Sequence, residues 1–496
     1  MTKPDRISEV TYHEPGKEYF KKRELKRYAG VWSLWALGVG AVISGDFFGW
    51  NFGLSVGGFG GLLIATIVIA AMYVGMCYSI AEMSPAMPHT GGAYSFSRST
   101  MGPWGGFITG LAENMEYVLT PAVIVVAIGS YLGTICNDLL GVQIAAPWWW
   151  LVSYAVFVGL NILDVELSFR FSVFITFLAL ATLAVFWIGA IPHFDLDHAL
   201  DIEPEEGRSI WLPFGLSGVA AALPFAIWFY LAIEQLPLAA EEAQNPERDM
   251  PKGLLYGILT LIIASFLTLF LNAGIPPGAE VVGESEEPLL LAFQTIFGDG
   301  VGASLLALVA VAGLVASFHT IIYAYGRNIF SLSRAGYFPQ WLSVTHGRRK
   351  TPHAALIAGA VLGFLVALVI EHSDAVFGEL PVGAVLLNMA VFGAVIAYIM
   401  QMVAFVLLRR RFPDISRPYR SPLGNAGAIG AGLIATVTLV FLFLNKDYVV
   451  GVVGCAVWFA AGLLYFALVG RKNLVYSPEE EFAVRQRGGS GSERQL

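Results

Sequence analysis

The chain has 496 residues, of which 56% are hydrophobic and only 13% are charged, and its mean hydropathy is +0.67. Soluble globular proteins carry about 25% charged residues because their surfaces face water, so the composition excludes a soluble, disordered or fibrous protein. The net charge of −8 offers no overall basic field to nucleic acid, and none is expected as a partner. The sequence predicts a polytopic membrane protein whose surroundings are a lipid bilayer.

Twelve apolar stretches are long enough to cross a bilayer as helices, which takes about 20 residues each. They lack the alternation of apolar and polar residues that is typical of a membrane β-barrel. We therefore predict an all-α fold with twelve transmembrane helices. The stretches are 29–54, 58–82, 103–131, 147–164, 170–192, 211–238, 254–275, 298–332, 353–371, 380–408, 424–444 and 447–470.

The basic residues predict the orientation, because Lys and Arg are retained in cytoplasmic loops. With the N terminus inside, 27 of the 29 basic residues fall on the cytoplasmic side, and only Arg208 and Lys446 fall outside. Residues 1–28 are polar and charged and do not form a cleavable signal peptide. We expect an integral protein of the plasma membrane, which in a bacterium is the inner membrane, with both termini in the cytoplasm.

The first predicted span is interrupted, because residues 38–58 contain seven glycines and one carboxylate. Each glycine weakens a helix by about 1 kcal/mol relative to alanine, and an aspartate in mid-membrane costs about 2.5–3.5 kcal/mol. Unwound backbone is tolerated in a membrane where it lines a cavity inside the protein, as in transporters. The predicted substrate-binding residues of this span are Ser44, Gly45, Asp46 and Phe47, with Phe48 as a further candidate.

The third predicted span carries Glu113 and Glu116 on one helix face, since they are three residues apart. Ionisable residues within spans usually face the bundle interior and mark a pathway. We predict that Glu116 lies at the substrate site together with Tyr117. A position of the pair near the membrane surface is the alternative.

The sixth predicted span contains Pro224, which removes a backbone hydrogen bond and kinks a helix. Trp228, Phe229 and Tyr230 follow it and are candidates for cation–π contact with an ammonium group, with ordinary packing as the alternative. The interrupted first and sixth spans are five helices apart, which is the spacing of an inverted repeat of five plus five helices.

No cofactor or metal is expected, because Cys77, Cys136 and Cys455 are scattered and no Cys/His cluster accompanies them. Residues 53–57 match the GxSxG pattern of serine hydrolases, but they lie at a predicted helix corner with no strand before them. The sequence therefore predicts that the protein is not an enzyme, and a membrane-embedded enzyme is a less favoured alternative. We also expect no obligate protein partner.

Three predicted cytoplasmic segments carry a specific resemblance. Residues 81–107, 232–253 and 326–352 follow the second, sixth and eighth spans, and together they resemble the amino acid–polyamine–organocation transporter superfamily. Within it, the run VGAVISGDFFGWNFGL and the run AIWFYLAIEQLPLAAEEA look most like the ethanolamine permease branch. The resemblance implies two inverted five-helix repeats with helices 1 and 6 unwound around a central site, two further helices, and secondary active transport.

This resemblance also implies a domain organisation. It comprises a cytoplasmic N-terminal tail (1–28), a first repeat (29–192), an outside loop (193–210), a second repeat (211–408), helices 11 and 12 with a basic loop before them (409–470) and a cytoplasmic tail (471–496). The polar, glycine-rich composition of the tail predicts that it is disordered.

Two departures from the superfamily pattern bear on the substrate. Amino acid transporters of the superfamily resemble one another in a Gly–Ser/Ala–Gly run, whose backbone N–H groups receive the substrate carboxylate. Here Asp46 follows Ser44 and Gly45, and a fixed anion opposes a carboxylate but attracts an amine. The resemblance therefore implies import of ethanolamine or a similar small amine, with an amino acid as the alternative substrate. In helix 6 the usual glycine is Ala232, which leaves the point of unwinding open.

We expect transport to be coupled to H⁺ or to proceed by exchange, with Na⁺ as the alternative coupling ion. His319 and Glu234 are candidate proton carriers, although a histidine packed between helices is equally expected at position 319. The resemblance makes Ser317 and Thr320 candidates for a sodium site between helices 1 and 8, as in sodium-coupled relatives of the fold. Glu241 and Glu242 are expected to form ion pairs that anchor the loop near Arg248 and Lys252.

Overall fold

The computed structural model describes residues 10–298, 301–372, 382–444 and 449–482, and these are almost entirely α-helical. Lys446 and the ends of both predicted tails lie outside the described residues. In chain order the helices are α1 (Lys17–Lys21), α2 (Val31–Val42), α3 (Phe52–Ala86), α4 (Gly92–Leu140), α5 (Ala146–Leu163), α6 (Val165–Ala190), α7 (Leu196–Ala199), α8 (Gly215–Ile227), α9 (Pro246–Ala273), α10 (Ala279–Glu284), α11 (Pro288–Phe297), α12 (Val301–Arg334), α13 (His353–Glu371), α14 (Val382–Arg411), α15 (Gly424–Leu444) and α16 (Val449–Leu468).

Nine helices in the described part of the chain are long and apolar enough to cross a membrane, which confirms the prediction of an all-α membrane protein. The helices at the first and sixth predicted spans, α2 and α8, are much shorter, with 12 and 13 residues. Each is followed by a non-α segment, a turn of 3-10 helix at Ile43–Asp46 in the first case and a longer one at Ile233–Glu242 in the second. The number of twelve spans stays a prediction.

Two long helices are divided by a glycine in the left-handed region. Gly58 in α3 has φ 65°, so residues 52–57 continue the first span and the second span begins after the corner. Gly102 in α4 has φ 85° and separates residues 92–101 from the spanning part of that helix. A side chain at Gly58 would also collide with Pro213, because a Cβ there would lie 2.3 Å from its Cγ.

The bundle is built around the interrupted helices. Helix α2 packs against α6, α9 and α12, and the start of α3 packs against α8. Helix α4 contacts α12 and α14 along its length. Large side chains at both interruptions, among them Trp50 and Trp228, are buried. The interrupted segments therefore lie inside the protein, where unwound backbone is shielded from lipid.

The two ends of the described chain meet at one side of the bundle. Strand β1 (Tyr12–His13) pairs in parallel with β2 (Leu474–Val475), with Tyr12 opposite Leu474. Residues 478–482 then form a short helical turn. We name residues 474–482 the terminal strap. The expectation of disorder from residue 471 onward is therefore wrong for the residues up to 482.

The terminal strap is held by buried ion pairs. Glu480 Oε2 lies 2.6 Å from Arg98 Nε, and Glu479 Oε1 lies 2.5 Å from Arg334 Nη2. All four side chains are at most 3% exposed. We call the side of the molecule that carries these arginines the basic face, and it corresponds to the predicted cytoplasmic side. The composition of the tail did not predict this ordered segment, because its carboxylates pair with arginines that are distant in sequence.

Candidate substrate-binding site

The interruption of the first span touches the interruption of the sixth. Helix α2 ends at Val42, and Gly45 in the following 3-10 turn faces the backbone of Trp228. A Cβ at Gly45 would lie 1.9 Å from the carbonyl oxygen of Trp228. Only glycine permits this approach, so the two unwound segments form one continuous region.

The sixth span unwinds at Ala232, whose φ of 82° is in the left-handed region. This conformation costs about 1–2 kcal/mol for a residue other than glycine. Pro224, where the sequence places a kink, lies inside α8, and the helix ends only at Ile227. The substitution of alanine for the usual glycine hid the unwinding point, since alanine otherwise favours a continuous helix.

Asp46 is fully buried at the end of the 3-10 turn. Neither carboxylate oxygen has a hydrogen-bond partner of good geometry in the described part of the chain, although the Thr268 hydroxyl of α9 lies beside it. A buried charge without partners is strongly unfavourable, so such a group takes up a proton or a cation. The arrangement therefore suits a bound cationic group at Asp46.

Aromatic rings border this region on the side of the sixth span. Gly49 lies against the indole of Trp228, to which a Cβ would come within 3.5 Å, and the ring of Phe48 lies 6.3 Å from the same indole. Phe47 instead packs against Gly313 of α12. Trp228 thus packs against the unwound segment of the first span, and Phe48 of that segment lies next to its indole.

The other two aromatic candidates make contacts elsewhere. Phe229 stacks on Trp50 with the ring centroids 5.3 Å apart. The Tyr230 hydroxyl lies 2.7 Å from Ser265 Oγ of α9. All of these side chains are buried or nearly so, and none is brought against Asp46 by a hydrogen bond.

A second acidic group lies between α4 and the sixth span. Glu116 and Glu234 are both buried, and their carboxyl groups are in contact. Two carboxylates offer only acceptors, so they form a hydrogen bond only when one of them carries a proton. The Tyr398 hydroxyl lies next to Glu234 and accepts a hydrogen bond of 2.9 Å from Tyr73. These two tyrosines were missed in the sequence, since a lone hydroxyl in an apolar span gives no signal.

Tyr117 does not join this acidic pair. Its hydroxyl donates to Glu113 Oε1 at 3.4 Å, and Asn328 Nδ2 of α12 donates to the other oxygen of Glu113 at 3.3 Å. Glu113 is therefore a hydrogen-bonded link between α4 and α12, whereas Glu116 has no donor of good geometry among the described residues.

Ser317 joins the eighth span to the first. Its hydroxyl donates to the carbonyl of Gly40 at 2.9 Å and accepts from the backbone N–H of Ser44 at 2.9 Å. The Thr320 hydroxyl bonds back to the carbonyl of Ala316 at 2.8 Å. Both candidates for the sodium site thus lie on the α12 face that packs against α2, and Ser317 bonds directly to the interrupted helix.

His319 packs between helices on another face of α12. Asn161 Nδ2 lies 3.2 Å from its Nδ1, and Ser168 Oγ lies 3.2 Å from its Nε2. The ring of Phe171 is 4.9 Å from the imidazole. These contacts belong to α5 and α6, so the structure does not bring His319 to Asp46 or to the acidic pair.

Similarity to known proteins identifies the family of this chain. A family model described as amino acid permease matches residues 34–488. The chain belongs to the amino acid permease family. An uncharacterized transporter of Rhizobium meliloti is 31% identical over 69% of this chain and 73% of its own length.

Two further relatives of this permease carry substrate names. The branched-chain amino acid permease BcaP of Bacillus subtilis is 28% identical over 91% of this chain and 95% of its own. The methylthioribose transporter of the same organism is 25% identical over the same shares. The permease is therefore a membrane transporter and not an enzyme, as the sequence predicts.

The end of the sixth span of the permease is anchored by a buried ion pair. Glu242 Oε1 lies 2.9 Å from Arg327 Nη2, both side chains are inaccessible, and the Tyr323 hydroxyl donates to the other carboxylate oxygen. Helix α12 therefore holds the end of the sixth span on the side of the basic face.

Glu241 forms a neighbouring ion pair with Arg334, whose Nη1 and Nη2 donate to its two carboxylate oxygens at 2.9 and 2.5 Å. The expectation that Glu241 and Glu242 pair within their own loop, near Arg248 and Lys252, is wrong, because α12 supplies both partners. Although burial raises the pKa of Glu241, the Arg334 charge outweighs it and lowers that pKa to about 2. Among the described residues, no group of three or more His, Cys, Asp or Glu side chains is arranged to hold a metal ion.

Proposed function

We propose that the permease is a secondary active transporter of a small solute with a primary ammonium group, and that this ammonium pairs with Asp46. One observation carries the proposal. A fully buried carboxylate without a hydrogen-bond partner of good geometry lies where the two unwound helices meet. An ammonium ion supplies both the charge and the donors that this carboxylate lacks.

An amino acid is the substrate class that the relatives favour. The family is named for amino acids, and BcaP is named for branched-chain ones. In such a substrate the α-ammonium or a cationic side chain would face Asp46. The substrate carboxylate would be received by backbone N–H groups, which unwound segments and helix N termini offer to anions.

Ethanolamine is the second candidate, and Asp46 itself favours it. A fixed carboxylate at the site repels a second carboxylate in a medium of low dielectric constant, whereas an amino alcohol brings only the cation. The resemblance of residues 39–54 to ethanolamine permeases points the same way. None of the relatives described above is named for this substrate.

Uptake into liposomes separates these candidates. Purified protein is reconstituted, and uptake of radiolabelled ethanolamine is measured with unlabelled amino acids as competitors. Strong ethanolamine uptake that amino acids do not inhibit supports the amino alcohol. Uptake of labelled branched-chain or small amino acids, with no ethanolamine uptake, supports an amino acid substrate.

Asp46→Asn tests the ammonium pairing for either substrate. The variant keeps the shape of the side chain and removes its charge, so we expect uptake to fall by about ten-fold or more. Asp197→Asn is the matched control, because Asp197 is exposed in the short helix α7. Uptake by Asp46→Asn equal to that of the control would refute the role of Asp46.

We further propose that transport is coupled to protons through the Glu116–Glu234 pair. A carboxyl pair that shares a proton can release it when the surrounding helices move apart and water enters. In sodium-free liposomes an imposed pH gradient should drive uptake, and Glu234→Gln should remove this response. If uptake ignores the pH gradient and follows a sodium gradient, the site at Ser317 becomes the coupling candidate and the proton proposal fails.

A further inference from the structure

A groove of about 380 Å³ runs between α14 and α15 on the outside of the bundle. Its walls are apolar, and several of its side chains are open to the surroundings: Val403 is 42% exposed and Leu433 is 61% exposed. Gly432 forms part of its wall, where a Cβ would lie 3.3 Å from Cβ of Met402. We name this feature the α14–α15 groove.

The length of the groove matches one leaflet of a bilayer. Along α14 it is lined from Ile399 to Arg410, a rise of about 16 Å at 1.5 Å per residue. The hydrocarbon core of a bilayer is about 30 Å thick, so half of it is about 15 Å. An acyl chain of one leaflet therefore fits the groove along its length.

The end of the groove on the basic face carries a free guanidinium. Arg410 lines the groove, is exposed, and has no hydrogen bond or ion pair with the residues that the structure describes. Its neighbours are engaged, since Arg409 pairs with Glu82 at 2.5 Å and Arg411 donates to the carbonyl of Thr100 at 2.5 Å.

The surroundings of Arg410 are positively charged overall. The end of α14 and the loop to α15 contain five arginines. Two acidic side chains accompany them, and one of these, Glu82 of α3, forms ion pairs with two of the arginines. A second copy of the chain docked face to face would bring the same positive charge against itself. An anionic partner is favoured instead. The arginines are Arg409, Arg410, Arg411, Arg417 and Arg420, and the acids are Glu82 and Asp414.

We propose that the α14–α15 groove binds one anionic phospholipid, with an acyl chain between the two helices and the headgroup phosphate paired with Arg410. The apolar wall selects a lipid over free phosphate, because a soluble anion leaves the groove unfilled. The guanidinium selects an anionic headgroup, since arginine binds phosphate through two parallel hydrogen bonds. The site is separate from Asp46 and does not depend on the substrate.

Native mass spectrometry of the purified full-length protein tests the proposal. Dioleoyl phosphatidylglycerol and dioleoyl phosphatidylcholine are titrated separately, so that only the headgroup differs. We expect one tightly bound phosphatidylglycerol, held about five-fold more strongly than phosphatidylcholine, which corresponds to ~1 kcal/mol per basic residue at a membrane surface. Arg410→Gln should remove this preference, and Arg410→Lys should retain part of it.

Two further variants separate the groove from the charge. Gly432→Leu fills the groove and should weaken both lipids, whereas Arg348→Gln removes an exposed arginine from the α12–α13 loop and should change neither. Thermal unfolding without lipid verifies that each variant is folded. The proposal fails if the wild type binds both lipids with equal affinity, or if Arg410→Gln keeps the preference for phosphatidylglycerol. It also fails if glycerol 3-phosphate binds as strongly as phosphatidylglycerol, or if the lipid-free protein is a dimer that Gly432→Leu disrupts.

Discussion

Gly45→Ala places a methyl group where the two unwound segments touch. The added Cβ would lie 1.9 Å from the carbonyl oxygen of Trp228 and 2.7 Å from its carbonyl carbon. Carbon and oxygen atoms that are not bonded normally approach to about 3.3 Å, so the segments must separate by about 1.4 Å. Both contact atoms belong to the backbone, and no side chain can rotate away to make room.

The expected effect has two parts. Overpacking of this kind costs about 1–3 kcal/mol of stability. A displacement of roughly 1 Å in a binding site reduces activity by up to about 100-fold, and we expect uptake to fall by at least ten-fold. The free energy of unfolding in detergent and the initial rate of uptake into liposomes measure the two parts separately.

Gly61→Ala is the matched control for this variant. Gly61 lies on α3 and faces α8, but a Cβ there would come no closer than 3.5 Å to another atom, which is an ordinary contact. Alanine in a helix is favoured over glycine by about 0.5–1 kcal/mol, so Gly61→Ala should be neutral or stabilising. Wild-type stability and uptake in Gly45→Ala would refute the close approach of the two unwound segments.

Three further changes test other parts of the structure. Arg98→Gln and Glu480→Gln each leave a buried charge and should lower the free energy of unfolding by about 3–5 kcal/mol, and the double variant should lose less than the sum; additive losses would contradict a direct ion pair. Ala232→Gly should raise stability by about 1 kcal/mol, because it removes a strained left-handed alanine, and a lower stability would count against that conformation. The pKa of Glu241 is lowered from 4.5 to about 2 in the folded protein, so the stability from its pairing with Arg334 is complete above pH 4.5 and is lost as the pH falls toward 2. Glu241→Gln should therefore flatten the loss of stability in acid, and an acid profile equal to that of the wild type would contradict the pairing.

The interruption of the first span was predictable because its cause is local. Glycine and aspartate weaken a membrane helix wherever they occur, and Gly45 and Asp46 lie where the helix gives way. The point of unwinding in the sixth span stayed open, because Pro224 predicts a kink but lies inside α8, which continues to Ile227. A proline gives a visible signal, whereas the left-handed alanine at position 232 is imposed by tertiary contacts.

Partners distant in sequence account for the rest of what was missed. Glu241 is 93 residues from Arg334, and Glu480 is 382 residues from Arg98. No periodicity or local motif encodes such pairs, so nearby basic residues were the natural but wrong expectation for Glu241. His319 shows a related difficulty, since the residue type alone does not tell a proton carrier from a histidine bonded by Asn161 and Ser168.

The ion pairs of the basic face can be completed only late in translation, because the terminal strap supplies two of their carboxylates. Arg98 leaves the ribosome 382 residues before Glu480, and Arg334 leaves it 145 residues before Glu479. At a translation rate of about 5–20 residues per second, Arg98 is synthesised about 20–80 s before Glu480, whose carboxylate pairs with it. A chain that stops after its last membrane helix lacks both carboxylates, so Arg98 loses its ion pair with Glu480 and Arg334 keeps only its pair with Glu241.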